Sequence, residues 1–144
     1  MKFVRIIGIL LIVFASACGQ GKYSPTVNEE IYGTWIREAS PEKLVMGSDG
    51  TYLVFLFKDD EKAYQYAQYE ITGKSTGSDK SILYRIDLIH KKPYDDKLKQ
   101  LYEVSESGRV LESTSFFVRD LEKDPYPKKI DTAHSTYRHY IRAQ

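Results

Sequence analysis

Cysteine is almost absent from this chain of 144 residues, which contains a single one, Cys18. One cysteine excludes an intramolecular disulfide framework and a metal site built from several thiolates. The sequence also lacks a large excess of charge of either sign. It contains 21 Lys and Arg and 20 Asp and Glu, so the formal net charge is +1. This balance supplies no basic surface for nucleic acid, so we expect no nucleic-acid partner.

Residues that carry catalytic or metal chemistry are few. The only histidines are His90, His134 and His139, and the last two fall on opposite faces of any strand that contains both. The acidic pairs at 59–60 and 95–96 lie beside lysines, which is typical of solvated loops rather than of calcium ligands. No nucleophile has an evident histidine partner, and no glycine-rich phosphate loop precedes a helix. We therefore expect no enzyme, no cofactor and no metal.

The amino end contains the longest apolar run of the sequence. Lys2 and Arg5 precede a wholly apolar stretch from Ile6 to Phe14, and small residues follow it. This order is typical of a secretion signal, and the run is shorter than the roughly 20 apolar residues that a transmembrane helix needs. Residues 1–17 are therefore predicted to be a signal peptide.

Cys18 directly follows Ala15, Ser16 and Ala17 at the end of this run. The arrangement resembles the lipobox of bacterial lipoproteins, with Ala15 where that motif usually has Leu. The resemblance implies that Cys18 carries acyl chains such as palmitate and anchors the protein to a membrane, an attachment worth about 0.8 kcal/mol per buried methylene. The alternative is an ordinary signal peptide cut after Ala17. The resemblance also implies a place in a bacterial cell envelope, and by comparison with lipoproteins of enteric-type bacteria Gly19 after the cysteine favours the outer membrane.

Residues 18–30 contain this cysteine and then glycine, serine, proline and polar residues. Such a composition is typical of a flexible tether. The remaining residues, 31–144, show no internal repeat, low-complexity tract or second linker. We therefore expect a signal peptide, a lipidated tether and one domain.

The spacing of turn-forming residues in 31–144 is typical of an antiparallel β protein. Turn-forming clusters at 48–50, 73–79 and 106–108 separate segments rich in β-branched and aromatic residues, which predicts three hairpins. Within the segment after the second cluster, apolar residues occupy the even positions of 82–88. This alternation of period two predicts that the even-numbered face points inward.

The preceding segment changes phase along its length. Tyr64 and Tyr66 are in step with each other but out of step with Tyr69. A β-bulge near Ala67 and Gln68 would turn both sets toward the interior. We therefore expect a bulge at this point, with Tyr64 and Tyr66 inside.

Helical spacing competes with strand in two places. Residues 59–69 begin with three acids suited to a helix start, and apolar residues in 94–102 recur at helical intervals after Pro93. A count without helices gives about seven or eight strands, at intervals typical of a sandwich or barrel. The predicted fold is all-β, a small antiparallel up-and-down barrel of about eight strands. At most one short helix is expected, and 94–104 stays open between helix and strand.

Four short elements occur in the order found in one known family. Residues 33–35 resemble the G-x-W element that opens lipocalins and bacterial lipocalin-like domains. The turn at 48–52, the hairpin at 102–111 and residues 137–138 resemble the family's second-strand turn, its late hairpin and its closing strand. The resemblance covers nearly all of 31–144 and implies a lipocalin-like barrel.

The resemblance also implies which residues close the barrel. In this family a tryptophan on the first strand plugs one end and an arginine near the last strand lies across it, where cation–π attraction contributes about 0.5–2 kcal/mol. The corresponding residues are Gly33, Trp35 and Arg138, with Arg142 as the alternative cation. Their implied role is structural.

Whether the barrel interior is filled or hollow distinguishes the candidate functions. An eight-stranded barrel is just wide enough for its own side chains or for one small ligand. The candidate lining residues are Tyr52, Phe55, Tyr64, Tyr66, Tyr84 and Tyr102. The same aromatic residues would also fill a solid core, which is the commoner role of aromatic residues in strands.

Two functions follow from these alternatives. The first is a lipid-anchored lipoprotein that binds a small apolar or amphipathic molecule in its barrel. The second is a protein-binding envelope module, such as an enzyme inhibitor, an adhesin or an accessory subunit of a membrane complex, with a filled and purely structural core. An exposed aromatic surface, for instance at 120–129, would favour the second. Whether the protein faces the periplasm or the exterior stays open.

Overall fold

The computed structural model describes residues 22–92 and 95–144. The predicted signal peptide, Cys18 and the first residues of the predicted tether lie outside the described residues. Eight strands follow one another around a closed antiparallel barrel in chain order, and the last pairs with the first. They are β1 (Gly33–Arg37), β2 (Lys43–Met46), β3 (Thr51–Phe55), β4 (Gln65–Thr76), β5 (Ile82–Lys92), β6 (Lys97–Val104), β7 (Val110–Val118) and β8 (Arg138–Arg142). The predicted all-β barrel is confirmed.

The described residues contain no helix, so both helical interpretations are wrong there. Residues 97–104 form β6, which pairs with β5 and β7 along its whole length. Its sequence mimics helical spacing because both faces are covered. Leu98 and Tyr102 face the barrel interior, whereas Lys99 on the other face packs under the ring of Tyr126 from the β7–β8 connection. A strand buried on both sides loses the simple alternation that identifies it.

Alternation along β5 confirms the inward face predicted for it. Tyr84, Ile86 and Leu88 are at most 1% exposed and belong to the central hydrophobic core. That core continues around the barrel through Leu44, Met46, Ile71 and Leu111 and the other inward residues of neighbouring strands.

The predicted bulge lies in the expected region but on the other strand. Tyr66 pairs with Lys92 and Ala67 with His90, so the extra residue is Lys91 on β5. The alternation of inward and outward side chains on β4 therefore continues without a break from Tyr66 to Ile71. Tyr66 consequently points outward, with 42% of its surface exposed. Tyr64, just before β4, is 43% exposed. The prediction that Tyr64 and Tyr66 face inward is wrong.

One end of the barrel is sealed around Trp35, whose side chain is completely buried. Its Nε1 donates a hydrogen bond to the carbonyl of Ile31 at 2.9 Å. The guanidinium carbon of Arg142 lies 4.1 Å from the Trp35 ring centroid. Arg142 also donates to the carbonyls of Gly108 at 2.7 Å and Tyr32 at 2.9 Å. One cation thus joins the first strand, the β6–β7 turn and the chain that enters β1.

Gly33 lies directly beneath this cation. Its φ of +127° is a conformation that residues with a side chain rarely adopt, and a Cβ there would come within 2.9 Å of an Arg142 nitrogen. The backbone conformation therefore favours glycine, and a side chain at this position would also displace the Arg142 guanidinium.

The closing cation is Arg142, so the expectation that Arg138 closes the barrel is wrong. β1 and β8 are antiparallel, and their register pairs Trp35 with Arg142. Arg138 begins β8 at the opposite end of the barrel, where it donates to the carbonyls of Ser135 and Tyr137.

The chain before β1 packs against the sealed end. Glu29 has a fully buried side chain, and its carboxylate accepts hydrogen bonds from the backbone N–H of Thr26, the hydroxyls of Tyr23 and Tyr84, and the ammonium of Lys74 at 2.7–3.0 Å. Packed structure therefore begins before residue 31, where the sequence suggested that the domain starts.

We predict that Arg142→Gln lowers the free energy of unfolding by about 2–3 kcal/mol, because it removes charge-assisted hydrogen bonds and the cation–π contact. Arg138→Gln is the matched control and should cost less than about 1 kcal/mol, since its hydrogen bonds end on carbonyls of its own loop. Urea unfolding followed by Trp35 fluorescence measures both losses. Equal losses in the two variants would contradict the assignment of Arg142.

A second prediction concerns Glu29. Burial alone raises the pKa of Glu29, but the hydrogen bonds to its carboxylate outweigh this effect and lower the pKa from 4.5 to about 2. Because the folded pKa is the lower one, this carboxylate stabilises the fold above pH 4.5 and the contribution is lost as the pH falls toward 2. The stability advantage of the native protein over Glu29→Gln should shrink over this range.

Urea unfolding at a series of pH values tests this expectation. The exposed Glu61→Gln variant controls for the change in net charge. An advantage over Glu29→Gln that stays constant down to about pH 2 would show that the carboxylate does not act as described.

Candidate functional site

The barrel interior opens at the end opposite Trp35 into a cavity of about 200 Å³. Glu42 from the β1–β2 connection and Thr136 from the β7–β8 connection border it. The volume lies below the roughly 300–1,000 Å³ of pockets for drug-sized ligands. The interior is therefore neither solid nor wide, and its space suits a small molecule.

The wall of this cavity combines polar and apolar surface in similar amounts. Its uncharged hydrogen-bonding residues, apart from the tyrosines, are Gln65, His90, Gln100, Ser113, Ser115 and Thr136. Apolar contact is supplied by Val54, Leu98 and Phe117. Such a wall suits a polar or amphipathic occupant better than a wholly apolar one.

Three tyrosines place hydroxyl groups around the cavity. The hydroxyls of Tyr52 and Tyr102 lie 3.1 Å apart, and that of Tyr140 donates to Glu42 at 3.0 Å. Burial raises the pKa of all three phenols. They are therefore neutral at physiological pH and act as hydrogen-bonding groups.

Gln100 is buried in the middle of this wall. Its Nε2 donates to the Ser115 hydroxyl at 2.9 Å, whereas its Oε1 is buried and has no hydrogen-bond partner in the described part of the chain. Buried polar atoms nearly always have a partner, and an unsatisfied one costs about 1–3 kcal/mol. This oxygen is thus an unsatisfied buried acceptor on a residue that lines the cavity.

Two charged residues of opposite sign stand at the mouth. Glu42 is engaged by the Tyr140 hydroxyl and by Arg37, whose guanidinium lies 3.7 Å from the second carboxylate oxygen. Arg138 lines the cavity and also a neighbouring cleft of about 270 Å³ on the outer side of the rim. No carboxylate within residues 22–92 and 95–144 forms an ion pair with Arg138.

The structure places the six predicted lining residues in different environments. Tyr52 and Tyr102 line the cavity. Tyr84 lies at the sealed end, where its hydroxyl donates to Glu29 at 3.0 Å. Phe55 follows Val54 on β3, so its ring faces the opposite side, where the Lys43 ammonium lies 4.1 Å from the ring centroid. Tyr64 and Tyr66 face solvent, as described above.

Sequence reasoning missed Gln100, Ser113, Ser115 and the position of Arg138. A signal for the first three was present, because they share the phase of inward apolar residues on their own strands, such as Tyr102 and Leu111. A polar residue at an inward position of a strand indicates a lumen with space or water in it.

No protein-family model, curated protein or solved structure matches this chain. Within the described ranges, no helix is long and apolar enough to cross a membrane. The same ranges contain no group of three or more His, Cys, Asp and Glu side chains arranged to hold a metal ion.

His90 provides a direct test of the cavity's environment. Burial lowers the pKa of His90 below its ordinary 6.5, and the charge of Asp96 opposes this effect in part. We predict that NMR titration gives His90 a midpoint below 6.5, and that Asp96→Asn lowers it further. A midpoint at or above 6.5 would contradict a desolvated imidazole at this position.

Proposed function

We propose that this protein is a lipid-anchored protein of the bacterial cell envelope that binds a small polar or amphipathic molecule in the open end of its barrel. The observation that carries the proposal is the cavity of about 200 Å³, whose wall includes Gln100, Ser113 and Ser115 at inward strand positions. Hydrophobic residues would fill a purely structural core at lower cost than buried polar side chains.

The shape of the barrel supports this proposal. Trp35 and Arg142 seal one end, so a bound molecule enters and leaves at the other. A cavity with one entrance removes most of a small ligand's surface from water and strengthens the hydrogen bonds inside. The arrangement suits binding and release of a small molecule.

The resemblances found in the sequence support the family and location. The closed eight-stranded barrel, with Trp35 covered by a cation, is compatible with a lipocalin-like fold. Residues 1–18 have the order of a lipoprotein signal, which ends in the acylated Cys18. We therefore place the protein at an envelope membrane, favouring the outer membrane, with the acyl chains as its attachment.

A second candidate function is docking of another envelope protein. Large apolar side chains with 41–67% of their surface exposed favour it: Leu56, Phe57, Tyr64, Tyr66, Ile89 and Phe117. The connection at 120–129 does not contribute as the sequence suggested. Tyr126 is folded onto the barrel, where its hydroxyl bonds Asp87 and Thr72.

The binding proposal predicts an occupied cavity. Full-length protein purified in mild detergent from its own cells should carry a discrete added mass, beyond any acyl chains, in native mass spectrometry. Ser113→Leu fills the cavity and should remove this mass, whereas the control Thr76→Leu, at an exposed strand position, should retain it. A protein with no added mass, or one whose added mass survives Ser113→Leu, would overturn this proposal.

The anchor is tested separately. Radiolabelled palmitate supplied to cells should label the native protein and not Cys18→Ala, because Cys18 is the chain's only cysteine. An unlabelled native protein would contradict lipidation and leave the cavity to be judged by the first experiment.

A further inference from the structure

The large apolar side chains that face solvent are concentrated on one side of the open end. Of the eight that are exposed in the described chain, five lie on β4, on β5 or in the β3–β4 connection, toward that end. These five are Leu56, Phe57, Tyr64, Tyr66 and Ile89, each 41–57% exposed, and we call them the rim patch. Exposed apolar residues that occur singly are ordinary, whereas a group of them marks an interaction surface.

Strand pairing brings the members of the rim patch together. The backbone N–H of Tyr64 donates to the carbonyl of Val54 at 2.7 Å, so the two ends of the β3–β4 connection lie side by side. Tyr66 and Gln68 both point outward on β4, and Gln68 pairs with Ile89 on the next strand. The rim patch therefore covers the outer side of β4 and its neighbours near the mouth of the cavity.

The turns at the sealed end are polar by contrast. The β4–β5 turn exposes Asp79 and Lys80, and the β6–β7 turn exposes Glu106 and Arg109. An ion pair of 3.4 Å between Lys80 and Glu106 links the two turns. Charged groups of this kind are costly to remove from water. The two ends of the barrel thus differ in the partner that they suit.

The chain before β1 runs along the outside of the barrel toward the rim patch. Glu29 accepts from Lys74 near the sealed end, whereas Lys22 forms an ion pair with Glu70. Glu70 precedes Lys74 by four residues on β4, which places it about 13 Å nearer the open end. Tyr66 lies a further four residues along, about 13 Å, and points outward as Glu70 does.

The proposed anchor is close to this point of the chain. Because Lys22 is tied to β4, only four residue steps separate the barrel from Cys18. Four extended residues span at most about 14 Å. An acylated Cys18 would therefore hold the outer side of β4 near the membrane surface. The rim patch is the apolar surface on that side.

We propose that the rim patch lies in the surface of the membrane that holds the Cys18 anchor, so that the open end of the barrel is tilted toward the lipid. This inference rests on the lipid anchor of the proposed function and adds the orientation of the barrel. Tyr64 and Tyr66 suit such a position, because their rings are apolar and their hydroxyls are polar.

The contact depends on burial of apolar surface. The connection at 56–64 contains two lysines and three acids, so it has no excess of positive charge to attract anionic lipid. Removing the apolar side chains from water is the favourable contribution instead. Neutral lipid is therefore a sufficient partner.

Fluorescence quenching by lipid with brominated acyl chains tests the proposal. Full-length protein, purified from its own cells in mild detergent, is transferred to phosphatidylcholine vesicles with or without bromine. The added indole of Tyr66→Trp should lose most of its emission in the brominated vesicles, because bromine quenches indoles that contact the acyl chains. Phe57→Trp should behave in the same way. The native protein gives the background from Trp35, which is buried.

Ile141→Trp is the matched control. Ile141 is 41% exposed and Tyr66 is 42% exposed, but Ile141 lies on β8 next to Arg142 at the sealed end. Its added emission should be retained in brominated vesicles. Adding phosphatidylglycerol should change none of these results, and quenching of Tyr66→Trp that requires this anionic lipid would contradict an apolar contact.

Failure of this inference is distinguishable from failure of the anchor, because flotation shows whether the protein is attached to the vesicles. If the protein floats but Tyr66→Trp is quenched no more than Ile141→Trp, the orientation is wrong while the anchor stands. The rim patch is then left to the docking of another protein. If the protein does not float, the membrane contact is wrong, and palmitate labelling decides separately whether Cys18 is acylated.

Discussion

The contact between Arg142 and Trp35 determines which end of the barrel is closed, and the rest of the structure follows from it. The guanidinium covers the indole ring and ties the first strand, the β6–β7 turn and the entering chain together through backbone carbonyls. A side chain at Gly33 would be strained by the positive φ and would displace this cation. With this end sealed, the space left in the barrel lies at the other end, where the loops are longer.

The two ends of the barrel therefore differ in how tightly they are packed and in how well their polar atoms are hydrogen-bonded. The sealed end contains two of the largest fully buried side chains, Trp35 and Tyr84, and the Glu29 carboxylate there is satisfied by hydrogen bonds from Tyr23, Tyr84 and Lys74. The open end keeps a cavity with a partly polar wall, and the amide oxygen of Gln100 is buried there without a partner in the described chain. An unsatisfied buried group of this kind costs stability. The well-packed sealed end offsets that cost.

The sequence predicts the number, type and order of strands because turn clusters and alternation act locally. The sequence does not predict features that depend on how neighbouring strands pair, such as which arginine covers Trp35. Arg138 and Arg142 share one face of β8, and only the register with β1 selects Arg142. The bulge near Ala67 is detected as a change of phase, but its extra residue lies on the partner strand. Tyr66 consequently faces solvent, and the lining of the cavity cannot be derived from the aromatic residues alone.

The exchange of two side-chain N–H groups with deuterated solvent tests the central claim most directly. Trp35 is the only tryptophan, so its indole proton gives a single NMR signal, and Gln100 provides the comparison from the open end. A sealed end around a buried, hydrogen-bonded indole predicts that the Trp35 proton exchanges only through unfolding, orders of magnitude more slowly than the Gln100 amide. Exchange of the Trp35 proton as fast as that of Gln100 would contradict the account.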